Sequence, residues 1–287
     1  MKRYIKIFEF TVSILVTVGF LYLFYAVIGF DIFFKFLKEI SIENILIAFS
    51  LYVFSYITRT YRWKITLNIN DFKKLFKITS FNTVFNIFLP FRTGELSFFY
   101  MLKKENIPFS ESAVSFFTVR IFDAVSLFTV FGASFFVLKG YTLLAILLLV
   151  GMPLSFYILK WGVALTKIEK LKNFSKETLH LKNLLVLYIL SILTFASKFT
   201  GFYFVLPRGL NLSFTESFFA SSAGDLTTVL PIHGIAGIGT YEGGFAGVLI
   251  FLGIEKETAL LASVFVHIFI LLGAAIVAGF SYVFLRR

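Results

Sequence analysis

Apolar residues fall in long unbroken blocks separated by short polar stretches. A window of about 19 residues, the length that crosses a bilayer as a helix, picks out residues 10–28, 44–62, 113–138, 141–159, 184–206 and 258–284. Two further apolar stretches, 72–102 and 214–252, are interrupted: the first at Pro90 and Gly94, the second at Pro231 and a glycine-rich turn. Each is too long for a loop and too broken for one straight helix. Each therefore predicts a hairpin of two short helices, either re-entrant or fully spanning. The blocks do not alternate apolar with polar residues, so they do not read as barrel strands.

Composition turns this pattern into a class. Of 287 residues, 58% are hydrophobic, 15% are charged and 41 are phenylalanine, and the mean hydropathy is +0.88. Soluble domains carry about 45–50% apolar and about 25% charged residues. A soluble enzyme, a nucleic-acid binder and a disordered chain are all excluded. The expectation is an all-α polytopic membrane protein with about six full spans plus two broken or re-entrant helix hairpins, forming one domain over 1–287.

The net charge of +11 then speaks of orientation rather than of partners. Lys2, Arg3 and Lys6 place the N-terminus in the cytoplasm, and no small-residue cleavage site follows, so the first span reads as retained. The segment 160–182 carries six lysines and reads as cytoplasmic, as do Arg286 and Arg287. This bookkeeping closes if each hairpin enters and leaves on one side, the first dipping in from the cytoplasm and the second from outside. A multi-pass protein of the cell (plasma) membrane with both termini cytoplasmic results. There is no cysteine, so disulfides and zinc–thiolate sites are excluded. His180, His233 and His267 lack metal-ligand spacing, and neither a metal nor a cofactor is expected. No nucleotide loop is present.

The two parts of the chain look alike on this reading. Halves 1–140 and 141–287 would each hold two spans, a broken hairpin and a third span. Leu89-Pro90 precedes Gly94-Glu95 in the first, and Leu230-Pro231 precedes Tyr241-Glu242 in the second. Glu95 lies 25 residues before Arg120, as Glu242 lies 25 before His267. An odd number of spans per half makes the repeat inverted, a pattern common among secondary transporters.

Charges inside a bilayer cost about 2.5–3.5 kcal/mol each on insertion scales, so each needs a partner or a cavity. Arg92, Gly94 and Glu95 sit at the first hairpin's turn. Arg120 and Asp123, three apart, share one helix face. Two readings stand open for them: an ion-pair cluster pinning the hairpin, or a seat for an anionic headgroup that the arginine fork suits. The second half offers Lys198, Asp225, His233, Gly239, Tyr241, Glu242 and His267. Its glycines either let backbone approach a ligand or permit tight packing. Arg59 and Arg62, beside Tyr61 and Trp63, read as an interfacial anchor.

The segment Leu89-Pro90-Phe91-Arg92-Thr93-Gly94-Glu95-Leu96, followed by Arg120-x-x-Asp123, resembles the transmembrane region of lysylphosphatidylglycerol synthases. Gly237-Ile238-Gly239-Thr240-Tyr241-Glu242 resembles that family's second glycine-rich motif. The resemblance implies a flippase-like domain that binds a phospholipid or lipid-linked headgroup and moves it between leaflets. The family's full-length synthases carry a cytoplasmic aminoacyl-transfer domain. With the sequence reaching only Arg287, the expectation is a non-enzymatic translocase. Alternatives are an intramembrane lipid-modifying transferase and a membrane subunit serving a separate soluble transferase. The bilayer and a phospholipid or lipid-linked substrate are the expected partners, with no nucleic acid.

Overall fold

The computed structural model describes residues 2–89, 93–156, 161, 180–228 and 234–285. Among these residues the chain is all helix. α1 (Lys2–Val27) and α2 (Gly29–Leu37) are followed by the long α3 (Ile42–Leu67). The first hairpin is α4 (Phe72–Phe88) and α5 (Glu95–Lys104), and α6 (Phe109–Leu138) closes the first half. α7 (Thr142–Gly151) is followed by a 3-10 turn, and α8 (Leu181–Phe204) begins beside them, with Tyr188 donating to the Leu149 carbonyl at 2.9 Å. The second hairpin is α9 (Phe214–Thr227) and α10 (Thr240–Phe251), and α11 (Lys256–Phe284) follows it.

Local sequence sets these boundaries. Ser41 caps α3 through Asn44 N–H, and Asp71 caps α4 through Lys74 N–H. Ser213 and Glu216 form a reciprocal capping box on α9. Asn68 ends α3 in the left-handed conformation. At Gly29, φ is +70°, and the axis bends by 80° between Ile14–Val27 and Gly29–Leu37. Only a residue without a Cβ turns there at little cost.

Burial is inverted relative to a soluble protein. Ser55, Thr60, Arg62, Ser115, Thr194, Ser221 and Ser281 are buried, while Leu143, Phe128, Phe251, Leu272 and Phe284 face outward. Apolar side chains on the outside and polar ones within suit a protein whose solvent is lipid. Most of the buried hydroxyls donate to a carbonyl three or four residues back on their own helix, as Ser80 does to Phe76 and Ser191 to Leu187.

The expected tally of six spans is not what the helices give. By length and apolar composition, α6, α8 (as Lys182–Phe204) and α11 cross a membrane, and the bent α1–α2 pair makes a fourth. α3 runs 26 residues, about 39 Å at about 1.5 Å per residue, but it carries Arg59 and Arg62 together with Tyr, Ser and Thr. Of the block at 141–159, the described part holds the ten-residue α7 and a 3-10 turn at Met152–Leu154, and residues 157–159 lie outside the described residues. Both broken stretches are helical hairpins. In the first, a Cβ on Gly94 would run into the backbone of Phe85 and Asn86, so the chain there has room only for glycine.

Packing centres on α3 and α8, which make the most extensive helix pair. Arg62 meets Ser191 and Thr58 meets Thr194, and Gly201 lies against Ala48. As the α3 number falls the α8 number rises, so the two run antiparallel. Around them, α4 packs on α11 and α6 packs on α9. Ser281 of α11 donates to Ser80 of α4 at 3.0 Å, and Phe131 of α6 stacks on Phe219 of α9 at 4.8 Å.

Candidate functional site

Between the two hairpins lies a cavity of about 450 Å³, a volume within the usual range for small-ligand sites. It draws residues from nearly every helix. α3 contributes Tyr52, Tyr56 and Arg59, α4 contributes Thr83 and Asn86, and α5 contributes Glu95. α6 contributes Arg120 and Asp123, α8 Lys198, α9 Asp225, α10 Tyr241 and α11 His267.

On the first-half side, Arg120 bridges the hairpin and its own helix. Its Nη2 lies 3.1 Å from Glu95 Oε1 and its Nη1 lies 3.6 Å from Asp123 Oδ2. Phe116 lies beneath the guanidinium, 5.0 Å away. Asp123 has a second partner: its Oδ1 accepts from Arg62 Nη1, which also donates to Ser191 Oγ at 2.8 Å. Arg59, one turn before Arg62, donates through Nη1 to Thr83 Oγ1 at 3.2 Å.

On the second-half side, Lys198 Nζ meets Asp225 Oδ2 at 2.5 Å, with the rings of Phe199 and Phe202 each 5.6 Å from the ammonium. His267 Nδ1 lies 2.6 Å from Glu242 Oε1, and its Nε2 lies 3.0 Å from the Ala236 carbonyl. A carbonyl only accepts, so Nε2 carries a hydrogen. The short Nδ1–Oε1 contact therefore holds a single proton between imidazole and carboxyl. Glu242 Oε2 accepts from Gly239 N–H at 2.7 Å, so the same carboxyl caps α10. Presenting the Ala236 carbonyl to His267 requires a φ of +55° at a non-glycine residue, a conformation that L-residues adopt at a cost.

Of the residues singled out from sequence, Glu95, Arg120, Asp123, Lys198, Asp225, Tyr241 and His267 all border this one cavity. Glu242 sits behind His267. Gly94 and Gly239 belong to the turns: the Gly94 carbonyl accepts from Asn82 Nδ2 at 3.2 Å, and Gly239 has a φ of +84°. Arg92 and His233 lie outside the described residues, as does most of the lysine-rich segment 160–182. The reading of Arg59 and Arg62 as an interfacial anchor is corrected. Arg62 is 0% exposed, and Arg59 borders the cavity. The physical reason is that α3 continues five residues past Arg62. The legible signal was the polar stripe Ser55, Arg59, Arg62 and Thr66 at helical spacing.

Comparison with curated proteins and with solved structures gives no match. The family model for the lysylphosphatidylglycerol synthase transmembrane region matches residues 10–278, nearly the whole sequence. Lipid-facing helices around a charged interior agree with that match, and the chain belongs to the lysylphosphatidylglycerol synthase transmembrane-region family, a membrane protein related to lipid handling.

Proposed function

We propose that the chain binds a phospholipid or lipid-linked headgroup in the central cavity and moves it between leaflets. The observation that carries this is the cavity's construction: charged pairs from both halves face one polar space, walled by two helical hairpins. A lone lipid-modifying active site would not need matched pairs on opposite walls.

An inverted repeat underlies the reading, and the packing supports it. α3 and α8 occupy the same place in their halves and run antiparallel. The first hairpin's α4 packs on α11, and reciprocally the second hairpin's α9 packs on α6. The equally spaced pairs Glu95–Arg120 and Glu242–His267 both close. Reciprocal contacts of this kind arise when two like units meet about a two-fold axis. In transporters built so, one half rocks against the other around a central site.

In this scheme Arg120, with Arg92, holds the anionic headgroup, while Glu95 and Asp123 orient the arginines. Lys198, Asp225, Tyr241 and the Glu242–His267 pair form the opposite half of the path. The lysine-rich segments set the cytoplasmic side of the plasma membrane. Liposomes carrying the purified protein and a fluorescent phospholipid test the reading. The parent protein is expected to expose inner-leaflet probe to an external quencher, and Arg120→Ala to slow this at least tenfold. A parent protein no faster than protein-free liposomes sinks it.

A further inference from the structure

The cations around the cavity are not equally served. Arg62 has Asp123, Arg120 has Glu95 and Asp123, and Lys198 has Asp225. Arg59 is the exception among the described residues. Its only acceptor there is the neutral Thr83 hydroxyl, and its Nε is buried with no hydrogen-bond partner. Across the same cavity the Tyr241 hydroxyl is also buried without a partner, on a side chain only 2% exposed. Buried donors are almost always satisfied. Guanidinium N–H groups of Arg62 (Nε, Nη2) and Arg120 (Nε) are buried without a bond as well. Against these donors, the one open acceptor of the lining among the described residues is Asn86 Oδ1. Donors in excess describe what is missing: a group rich in acceptors.

Charge narrows the choice. Arg59 and Arg120 line this end of the cavity and Arg62 stands behind Asp123, three cations against the two carboxylates Glu95 and Asp123. One positive charge is left over among the described residues. A phosphodiester carries one negative charge and only acceptor oxygens. An arginine edge is shaped to grip it through two N–H groups. The cavity also reaches Phe117, whose side chain is 64% exposed on the lipid-facing surface. An apolar opening at that point suits a headgroup that keeps its acyl chains in the bilayer.

We infer that Arg59, held by Thr83, is the seat for the phosphodiester of a membrane lipid, with the Tyr241 hydroxyl as a second donor. This rests on the reading of the cavity as a headgroup site and names the group that docks there.

The test is calorimetric titration of the full chain in phosphate-free maltoside micelles. The probes are dihexanoyl phosphatidylglycerol, dihexanoylglycerol and inorganic phosphate. Arg59→Gln is expected to weaken phosphatidylglycerol binding at least tenfold, with Arg59→Lys and Thr83→Val giving smaller losses. Should Arg59→Gln fail to fold, as judged by gel filtration and circular dichroism, those two variants decide. Unchanged phosphatidylglycerol affinity in the folded variants overturns the seat, and so does a parent protein that holds dihexanoylglycerol as tightly. Inorganic phosphate displacing the lipid at equal concentration overturns the lipid source. Binding that follows this pattern in a protein that moves no lipid leaves the seat standing and removes translocation alone.

Discussion

The Glu95–Arg120 and Glu242–His267 pairs share a spacing of 25 residues and a place at the start of a hairpin's second helix, yet they live in different solvents. The side chains of Arg120 and Glu95 are 33% and 25% exposed, whereas those of His267 and Glu242 are 6% and 4% exposed. Arginine stays charged at any physiological pH, and a permanent charge is tolerable where water reaches it. The buried pair is instead closed by partners on both sides: Glu242 Oε2 accepts from Gly239 N–H and His267 Nε2 meets the Ala236 carbonyl. The difference teaches that one arrangement serves two ends: an open, fixed charge on one wall and a closed, proton-sharing contact on the other.

The sharpest way to break the comparison is through the ion pair that supports the open side from behind. Arg62→Ala removes the closer of Asp123's two arginines, leaving that carboxylate with Arg120 at 3.6 Å and a cavity in a buried setting. It is expected to cost about 3 kcal/mol, the low end for breaking a buried pair. Thermal unfolding in micelles would register it as a large drop in midpoint. Glu242→Ala comes next. It strips the cap from Gly239 N–H and the partner from His267, and about 2–3 kcal/mol follows from leaving those groups unmet. Glu95→Gln on the wetter side should cost about 1 kcal/mol or less, since water replaces part of what is lost. A Glu95→Gln loss equal to that of Glu242→Ala would erase the distinction between the walls. The smallest effect is reserved for Lys74→Ala, which opens the exposed Lys74–Glu105 pair of 2.6 Å and should shift stability by about 0.5 kcal/mol or less.

Much of this was legible in the chain. Continuous apolar blocks announced helices, and the proline and glycine interruptions located both hairpins. The equal 25-residue spacings, read as a sign of repetition, picked out four residues that the fold joins as Glu95–Arg120 and Glu242–His267. What the sequence could not display was which distant group each charge would meet. Asp123 looked like a partner for Arg120 alone because the two are three residues apart. Its tighter partner, Arg62, is 61 positions away and was concealed by an assumed helix end. Of the six expected spans, the described helices bear out three by length and apolar composition, or four with the bent α1–α2 pair. α3 is long enough to span, but its arginines and hydroxyl side chains lower its hydropathy, and the block at 141–159 runs past the described residues.

The serine and threonine hydroxyls of the interior bear on movement. Because most of them bond back to their own helix, those bonds travel with the helix when it shifts. Among the described residues, hydroxyls that do join one helix to another include Thr58 with Thr194, Thr60 with Thr79, Ser115 with Thr66, Thr227 with the Thr240 carbonyl, and Ser281 with Ser80. The joins between helices therefore fall largely to the charged pairs at the cavity, Arg62–Asp123, Arg120–Glu95, Lys198–Asp225 and His267–Glu242. Any shift of one helix against another would leave most hydroxyl bonds intact and would have to part those charged pairs instead.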